Sequence, residues 1–352
     1  MKKIIYINYM KQYGHINFDT IHINAMLSQG YDVKIVMHKE IADKMPYNKK
    51  QYAIILPKWL GYECKFSLIN RLLYMLTLIY IKIYVSFSQY DHCVISNLDE
   101  LTMGLLPLTK GMYLICHGSC RGFENKIKSF FLKKLSKQNT FIVFNKEMVQ
   151  PFTNNGISRV RIISHGCINT FDKSSKAQLP SFAKGYKRVV FHPSPKLDAN
   201  FIKDVYNEKY NDIFKQNNIL LILRNNPYKD KGLSNIKFIN CHIPKEEYQA
   251  LFLYSDIILF AYPRSFYLQV SGVSFECVSN QKRMLISYHP SLSYCKEFCN
   301  YDPFFKDTDE MIKKIEELIS NKNLNIIATP EELIPKYHEI FKKIKKQTTI
   351  KD

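Results

Sequence analysis

Short runs of β-branched and aromatic residues recur along this chain at intervals wide enough to hold helices. In the first half they fall at 4–8, 32–37, 52–56, 92–96, 112–116, 140–144 and 160–164. Stretches with helical spacing of apolar positions, such as 18–28 and 125–135, lie between several of them. Strands alternating with helices predict a mainly parallel sheet covered on both faces. The pattern lapses over 169–187, which holds Lys173-Ser174-Ser175-Lys176, Pro180 and Gly185, and then restarts. Strands are expected at 188–192, 218–223, 236–240, 256–260 and 283–287, and helices at 201–214, 245–253 and 272–279. A charged amphipathic helix over 331–346, with Pro330 near its start, closes the chain. The expected division is a first α/β domain over 1–170, a linker over 171–186, a second α/β domain over 187–325, and a C-terminal helix and tail over 326–352 that returns toward the first.

Residues 68–87 are largely apolar, with Asn70, Arg71 and Lys82 the main exceptions. Those charges cut the uncharged run to 72–81, below the roughly 18–20 residues a bilayer span needs. A buried or groove-facing helix is expected first, and docking on a membrane surface second. At the N-terminus, the apolar run after Lys2-Lys3 is too short for a signal-peptide core and reads as the first strand.

Composition narrows the picture. At 352 residues, 46% hydrophobic and 23% charged, the chain has the balance of a folded protein of two ordinary domains. Its formal net charge of +19 is uneven: residues 1–180 hold 24 Lys and Arg against 11 Asp and Glu, and the remainder 26 against 20. Attraction to polyanions follows, with nucleic acid, an anionic membrane surface and phosphorylated small molecules all open. The basic residues form no compact stripe interleaved with aromatics, which argues against nucleic acid. The nine cysteines form no pair of CxxC clusters, so no zinc or disulfide framework is legible and a reducing cytoplasm is expected.

The segment richest in chemistry is 255–287, read as a strand, a glycine-bearing turn into a helix, and a strand. The first strand ends at Tyr262-Pro263, a polar aromatic loop follows, and Ser271-Gly272 opens the helix. Backbone N–H groups at such a start have no intrahelical acceptor and carry the positive end of the dipole, so a phosphate is favoured there. Gly272 lets the ligand approach, and Glu276 falls one turn on, placed to accept from sugar hydroxyls or merely to favour the helix dipole. Lys196 and Arg224 each follow a strand on the predicted carboxyl edge of the second sheet, where ligands bind. Either could neutralise a diphosphate, and Lys196 ranks first. In the first half, His117-Gly118 follows strand 112–116, and Gly14-His15 follows the first strand; no GxGxxG fingerprint is present, so nicotinamide and flavin cofactors are not expected.

The succession Ile243-Pro244-Lys245-Glu246-Glu247-Tyr248, Tyr254-Ser255-Asp256, Tyr262-Pro263, Ser271-Gly272 and Glu276 resembles the donor half of retaining GT-B glycosyltransferases, the family 4-like group of bacterial polysaccharide synthesis. Looser similarity extends through 141–166, where His165 replaces the family's usual Asn, and through Tyr13-Gly14-His15. The resemblance implies two Rossmann-like domains facing across a cleft. It implies a nucleoside-diphosphate sugar as co-substrate, with no cofactor or metal, and a saccharide or lipid-linked saccharide as acceptor. Ser271, Gly272 and Val273 would hold the diphosphate, Glu276 the ribose, Lys196 the leaving group and His117 the transferred sugar. Tyr267, Arg224 and Ile243 would complete the donor site, and Gly14 and His15 would meet the acceptor. Position 268, eight before Glu276, is Leu where the family often has a second glutamate. The competing classes are a nucleotide-sugar epimerase of the same fold and a non-enzymatic polyanion-binding protein.

Overall fold

The computed structural model describes residues 1–167, 170–172, 179–225, 228 and 231–342. Two compact units result: residues 1–166 with the segment from Ile334 onward, and residues 167–333. In the first, seven strands are β1 (Lys3–Asn8), β2 (Asp32–His38), β3 (Tyr52–Leu56), β4 (His92–Ile95), β5 (Tyr113–Ile115), β6 (Thr140–Val143) and β7 (Val160–Ile162). They form one parallel sheet in the order β3-β2-β1-β4-β5-β6-β7. In the second unit, β8 (Arg188–Phe191), β9 (Ile219–Arg224), β10 (Ile236–Ile239), β11 (Ile257–Phe260), β12 (Arg283–Ser287) and β13 (Phe304–Phe305) pair in the order β10-β9-β8-β11-β12-β13, again all parallel. Both are doubly wound Rossmann-like sheets, and each reverses its strand order beside its first strand, at β1/β4 and at β8/β11.

The continuous apolar runs follow from burial on both faces. In the second unit, Val189, Phe191, Leu220, Ile222, Ile258 and Phe260 enter one hydrophobic core, while Val190, Leu221, Leu223, Ile257 and Leu259 enter the other. Strand alternation therefore separates two cores instead of a core and a solvent face. In the first unit, the fully buried Asp19 of the Ile16–Ser28 helix accepts hydrogen bonds from Tyr6 Oη at 2.7 Å and Asn8 Nδ2 at 2.6 Å, tying that helix to β1. Burial raises its pKa to about 6, with those donors opposing the rise.

Three expectations are corrected. The helix expected over 201–214 is two, Ala199–Val205 and Glu208–Gln216, because Asn207 starts the second by accepting from Tyr210 N at 3.1 Å. The terminal helix expected over 331–346 is a single turn, Tyr337–Ile340, within its described part, and 343–346 lie outside the described residues. Pro335 falls inside the expected span and has no N–H to donate; its carbonyl accepts from Gln29 Nε2 at 2.7 Å. The apolar segment at 68–87 forms the helix Ser67–Tyr84, but it is not a buried helix: only Thr77, Leu78 and Ile81 are buried. A further helix, Thr308–Ser320, went unexpected although Met311, Ile312, Ile315 and Leu318 mark its buried face and Asp307 caps it through Glu310 N at 2.8 Å.

Gly166 sits where the chain leaves the first sheet, with φ +80°, and a Cβ there would collide with Ile21 Cγ2. Gly166→Ala is therefore expected to destabilise the protein by about 1–3 kcal/mol through strain and close contact, read as a lowered midpoint in urea denaturation. Gly14→Ala, whose Cβ would meet nothing within 4 Å, is expected to stay within about 0.5 kcal/mol of wild type.

Candidate functional site

In the second unit, the loops after β8 and β11 flank the point where strand order reverses, and the residues expected to bind the donor gather there. The helix Gly272–Ser279 begins after Ser271, whose side chain does not cap it. The turn is held from below instead. Ser271 N donates to Tyr294 Oη at 3.1 Å, Ser274 Oγ lies 2.9 Å from the same hydroxyl, and Tyr262 Oη lies 2.8 Å from Ser271 Oγ. Tyr262 and Tyr294 are thus spent on positioning the turn, while the first helical amides stay uncapped by side chains and Gly272 is exposed. A Cβ at Gly272 would meet nothing within 4 Å, so the backbone there faces open space. Val273, next in the helix, is half-buried.

Glu276 is half-buried one turn on, and Tyr248 Oη donates to its Oε2. Burial raises its pKa to about 7, with the Tyr248 hydrogen bond opposing. The carboxyl therefore lies near the balance of its two forms at neutral pH, and a ligand that donates hydrogen bonds would draw it into the ionised one.

Lys196 and Arg224 separate by role. Arg224 donates to the carbonyls of Pro193 at 3.3 Å and Cys241 at 3.2 Å, bracing the loops after β8 and β10, and its Nε is buried without a partner among the described residues. Lys196 is exposed; its Nζ donates to Gln269 Oε1 at 3.3 Å and lies 5.5 Å from the Phe266 ring centroid. Gln269 is two residues before Ser271, so the loop after β8 brings a cation to the glycine turn. His192, fully buried behind that loop, lies 2.9 Å from the Leu259 carbonyl and 3.2 Å from that of Lys196, with burial holding its pKa near 4. Its neutral ring donates to one of them and ties β8 to β11.

Tyr267 is half-buried beside this loop. The Ile243 side chain packs into the hydrophobic core, leaving only its backbone to face a ligand. Leu268 has φ +54°, a left-handed conformation uncommon for a branched side chain, and its N–H donates to the buried Ser291 Oγ at 2.7 Å. This strained position is where the expected acid is missing. Sequence spacing did not single out Tyr262, Tyr294 or Ser291 as supports: Tyr294 and Ser291 lie beyond β12, and no local pattern links them to the turn.

In the first unit, His117 follows β5 and meets the Gly14-His15 loop that follows β1. The His15 and His117 ring centroids are 4.3 Å apart, Phe18 lies 4.3 Å from His117, and Phe144 lies 5.1 Å from it. His165 joins this group 5.1 Å from Phe18. His22 lies behind it, with Nδ1 2.7 Å from Tyr337 Oη and Nε2 3.2 Å from the His165 carbonyl. Burial first, then the neighbouring His15, His165 and His22, holds His117 well below the usual histidine range, while a hydrogen bond to the Ser96 backbone opposes. The ring is therefore neutral near pH 7, and its buried Nε2 has no partner among the described residues. A proton on the nitrogen facing Ser96 leaves Nε2 as an acceptor suited to a hydroxyl. Gly14 is exposed on the adjoining turn. Beyond this cluster, Glu100, Arg121, Glu124 and Lys128 line a polar cavity of about 320 Å³, with Lys128 Nζ 3.2 Å from Glu100 Oε2. No group of three or more His, Cys, Asp or Glu able to hold a metal occurs among the described residues.

No known family's sequence profile matches this chain, and no curated protein matches it. Solved structures do. Anabaena HepE in complex with UDP-glucose is similar with a TM-score of 0.56 at 11% identity, over 92% of this chain and 91% of that one. An E. coli trehalose-6-phosphate structure bound with UDP-2-fluoro glucose reaches 0.58 at 11% identity, over 95% and 93%. A UDP-forming α,α-trehalose-phosphate synthase from Burkholderia xenovorans reaches 0.56 at 10% identity, over 91% of each chain. These likenesses establish the fold: two Rossmann-like α/β units of the GT-B type.

The Glu276 carboxyl gives a pH test with a defined sign. Its folded pKa of about 7 lies above its ordinary 4.5, so the folded state holds the proton more tightly and stability falls as pH rises from 4.5 toward 7. Glu276→Gln is expected to gain on wild type by about 1–3 kcal/mol across that window, measured by chemical denaturation at each pH. Tyr248→Phe removes the donor that opposes the shift and is expected to move the wild-type inflection to higher pH.

Proposed function

We propose that this protein is a glycosyltransferase that moves a sugar from a nucleoside-diphosphate donor to a saccharide or lipid-linked saccharide hydroxyl. The observation that carries this reading is the uncapped helix start at Gly272, held by two tyrosines on the carboxyl edge of a doubly wound sheet, with Glu276 one turn in. Backbone N–H groups of Gly272 and Val273 would bind the diphosphate, a charge-assisted interaction of about 1.5–3 kcal/mol per hydrogen bond. Lys196 is near enough to join them by leaving Gln269. Glu276, ionised when it accepts from two hydroxyls, would hold the ribose. Three solved structures of two proteins of the same fold carry UDP-glucose, UDP and glucose, or UDP-2-fluoro glucose, which supports a sugar nucleotide as the ligand.

In this reading the second unit grips the donor and the first presents the acceptor, with His117 Nε2 accepting a hydrogen bond from a sugar hydroxyl. The transferred anomeric carbon loses its bond to the diphosphate oxygen and gains one to the acceptor oxygen, whose proton leaves with the nucleoside diphosphate. Rate enhancement comes mainly from stabilising the negative charge that grows on the leaving diphosphate, the work of the helix amides and Lys196. Anomeric retention, independence of metal, and a place in bacterial surface-polysaccharide synthesis on the cytoplasmic side belong to the same proposal, and rest on the donor-half motif.

Thermal shift with UDP-, GDP-, ADP- and CMP-sugars tests it. One sugar nucleotide is expected to raise the melting temperature of wild type and to be slowly hydrolysed, and Glu276→Ala is expected to lose most of the shift. No shift with any of them, or one untouched by Glu276→Ala, would refute the donor site. Conversion of the sugar nucleotide into its epimer with no acceptor present would replace transfer by epimerisation.

A further inference from the structure

The helix Ser67–Tyr84 is apolar on both sides. Its inner side buries Thr77, Leu78 and Ile81 against the first unit, whereas Leu68, Leu72, Leu76, Ile79 and Ile83 form an outer stripe that is 42–70% exposed. Among the described residues, no polar side chain interrupts that stripe. An apolar stripe on the outer side of a helix calls for an apolar surface against it, and here that side is open. The turn preceding the helix extends the surface with exposed aromatics, Trp59, Tyr62 and Phe66. A second helix, Lys126–Ser136, packs with this one against the short helix Glu100–Leu105, and exposes Ile127 and Phe130.

Charge indicates what covers this face. Lys58, Lys65 and Lys82 are exposed at its ends, and Lys126, Lys133 and Lys137 are exposed beside Ile127 and Phe130. Nearby acids include Glu63 and Glu124, both exposed, Asp99, paired with Arg71 at 3.6 Å, and Glu100, paired with Lys128 at 3.2 Å, and the exposed lysines outnumber them. Residues 1–166 and 334–352 together hold 28 Lys and Arg against 12 Asp and Glu. An apolar stripe rimmed by aromatic rings and lysines matches the boundary between acyl chains and anionic headgroups, where rings sit at headgroup level and ammonium groups reach the phosphates. The stripe's spacing of three and four would also suit a helix from a second copy. The positions flanking it, Leu73 and Met75 among them, lack the charge pairs that fix such a seam.

We infer that this face docks the first unit on an anionic membrane surface, with the Ser67–Tyr84 helix lying in the interfacial plane. The inference concerns a surface separate from the donor site and stands whether or not a sugar nucleotide binds. A lipid-linked acceptor would then reach the protein without leaving the bilayer.

Trp59 is the chain's single tryptophan and lies on the face in question, so its fluorescence reports docking directly. With vesicles rich in phosphatidylglycerol, the full chain is expected to float with the lipid, to blue-shift its emission, and to be quenched by lipids brominated along the acyl chain. Neutral phosphatidylcholine vesicles and high salt are expected to weaken binding. The double variant Leu72→Glu, Ile83→Glu changes two side chains more than half exposed, so folding, checked by circular dichroism, is expected to persist while vesicle partitioning falls about tenfold or more. The inference fails if wild type binds neither vesicle, if neutral and anionic vesicles bind alike, or if the folded double variant partitions as wild type does. It fails equally if Trp59 blue-shifts without lipid as protein concentration rises while sedimentation shows a dimer, since a second copy would then own the face.

Discussion

Everything proposed for the second unit depends on two tyrosine hydroxyls beneath a turn. Tyr294 accepts from the Ser271 amide and Tyr262 meets the Ser271 hydroxyl, so the residue that ordinarily caps a helix is turned inward. The first helical N–H groups are consequently left for an anion. An uncapped helix start forgoes about 1 kcal/mol that a serine cap supplies, a loss that a diphosphate bound as proposed would offset. The parallel sheet makes the placement useful: with every strand running the same way, the loops after β8, β9 and β11 emerge on one edge, bringing Lys196, Arg224 and Gly272 to it from distant parts of the chain.

The two units show different chemistry at equivalent places. In the second, a flexible cation, free amides and a carboxyl near its titration midpoint suit a ligand that carries both phosphate and hydroxyl groups. In the first, four histidines and two phenylalanines pack around the loops after β1 and β5, and burial keeps His15, His117 and His165 neutral. Neutral imidazoles provide directional hydrogen bonding without charge, which suits a carbohydrate hydroxyl better than a phosphate.

Much of the fold was legible because both sheets are buried on both faces, so their strands stand out as unbroken apolar runs. The Gly272 turn and Glu276 were legible because a helix start and its first turn are local. Less local features were not. Tyr294 and Ser291 reach the turn from beyond β12, and the Ile243 side chain, inside a motif that reads as ligand-binding, belongs to the core. Pro335 is visible in the sequence, yet its carbonyl partner Gln29 lies some three hundred residues away in another element. The outer face of the Ser67–Tyr84 helix was ambiguous for a physical reason: periodicity cannot tell a helix buried on two sides from one awaiting a membrane.

The most direct test of the central claim watches the glycine amide itself. The chain has 12 glycines, so selective labelling with nitrogen-15 glycine gives a sparse spectrum in which the Gly272 resonance is assigned by its loss in Gly272→Ala. Addition of the sugar nucleotide that stabilises the protein is expected to move that resonance strongly, as its N–H gains a phosphate acceptor, while Gly30 and Gly111 stay in place. Saturating binding that leaves Gly272 unmoved would contradict the account.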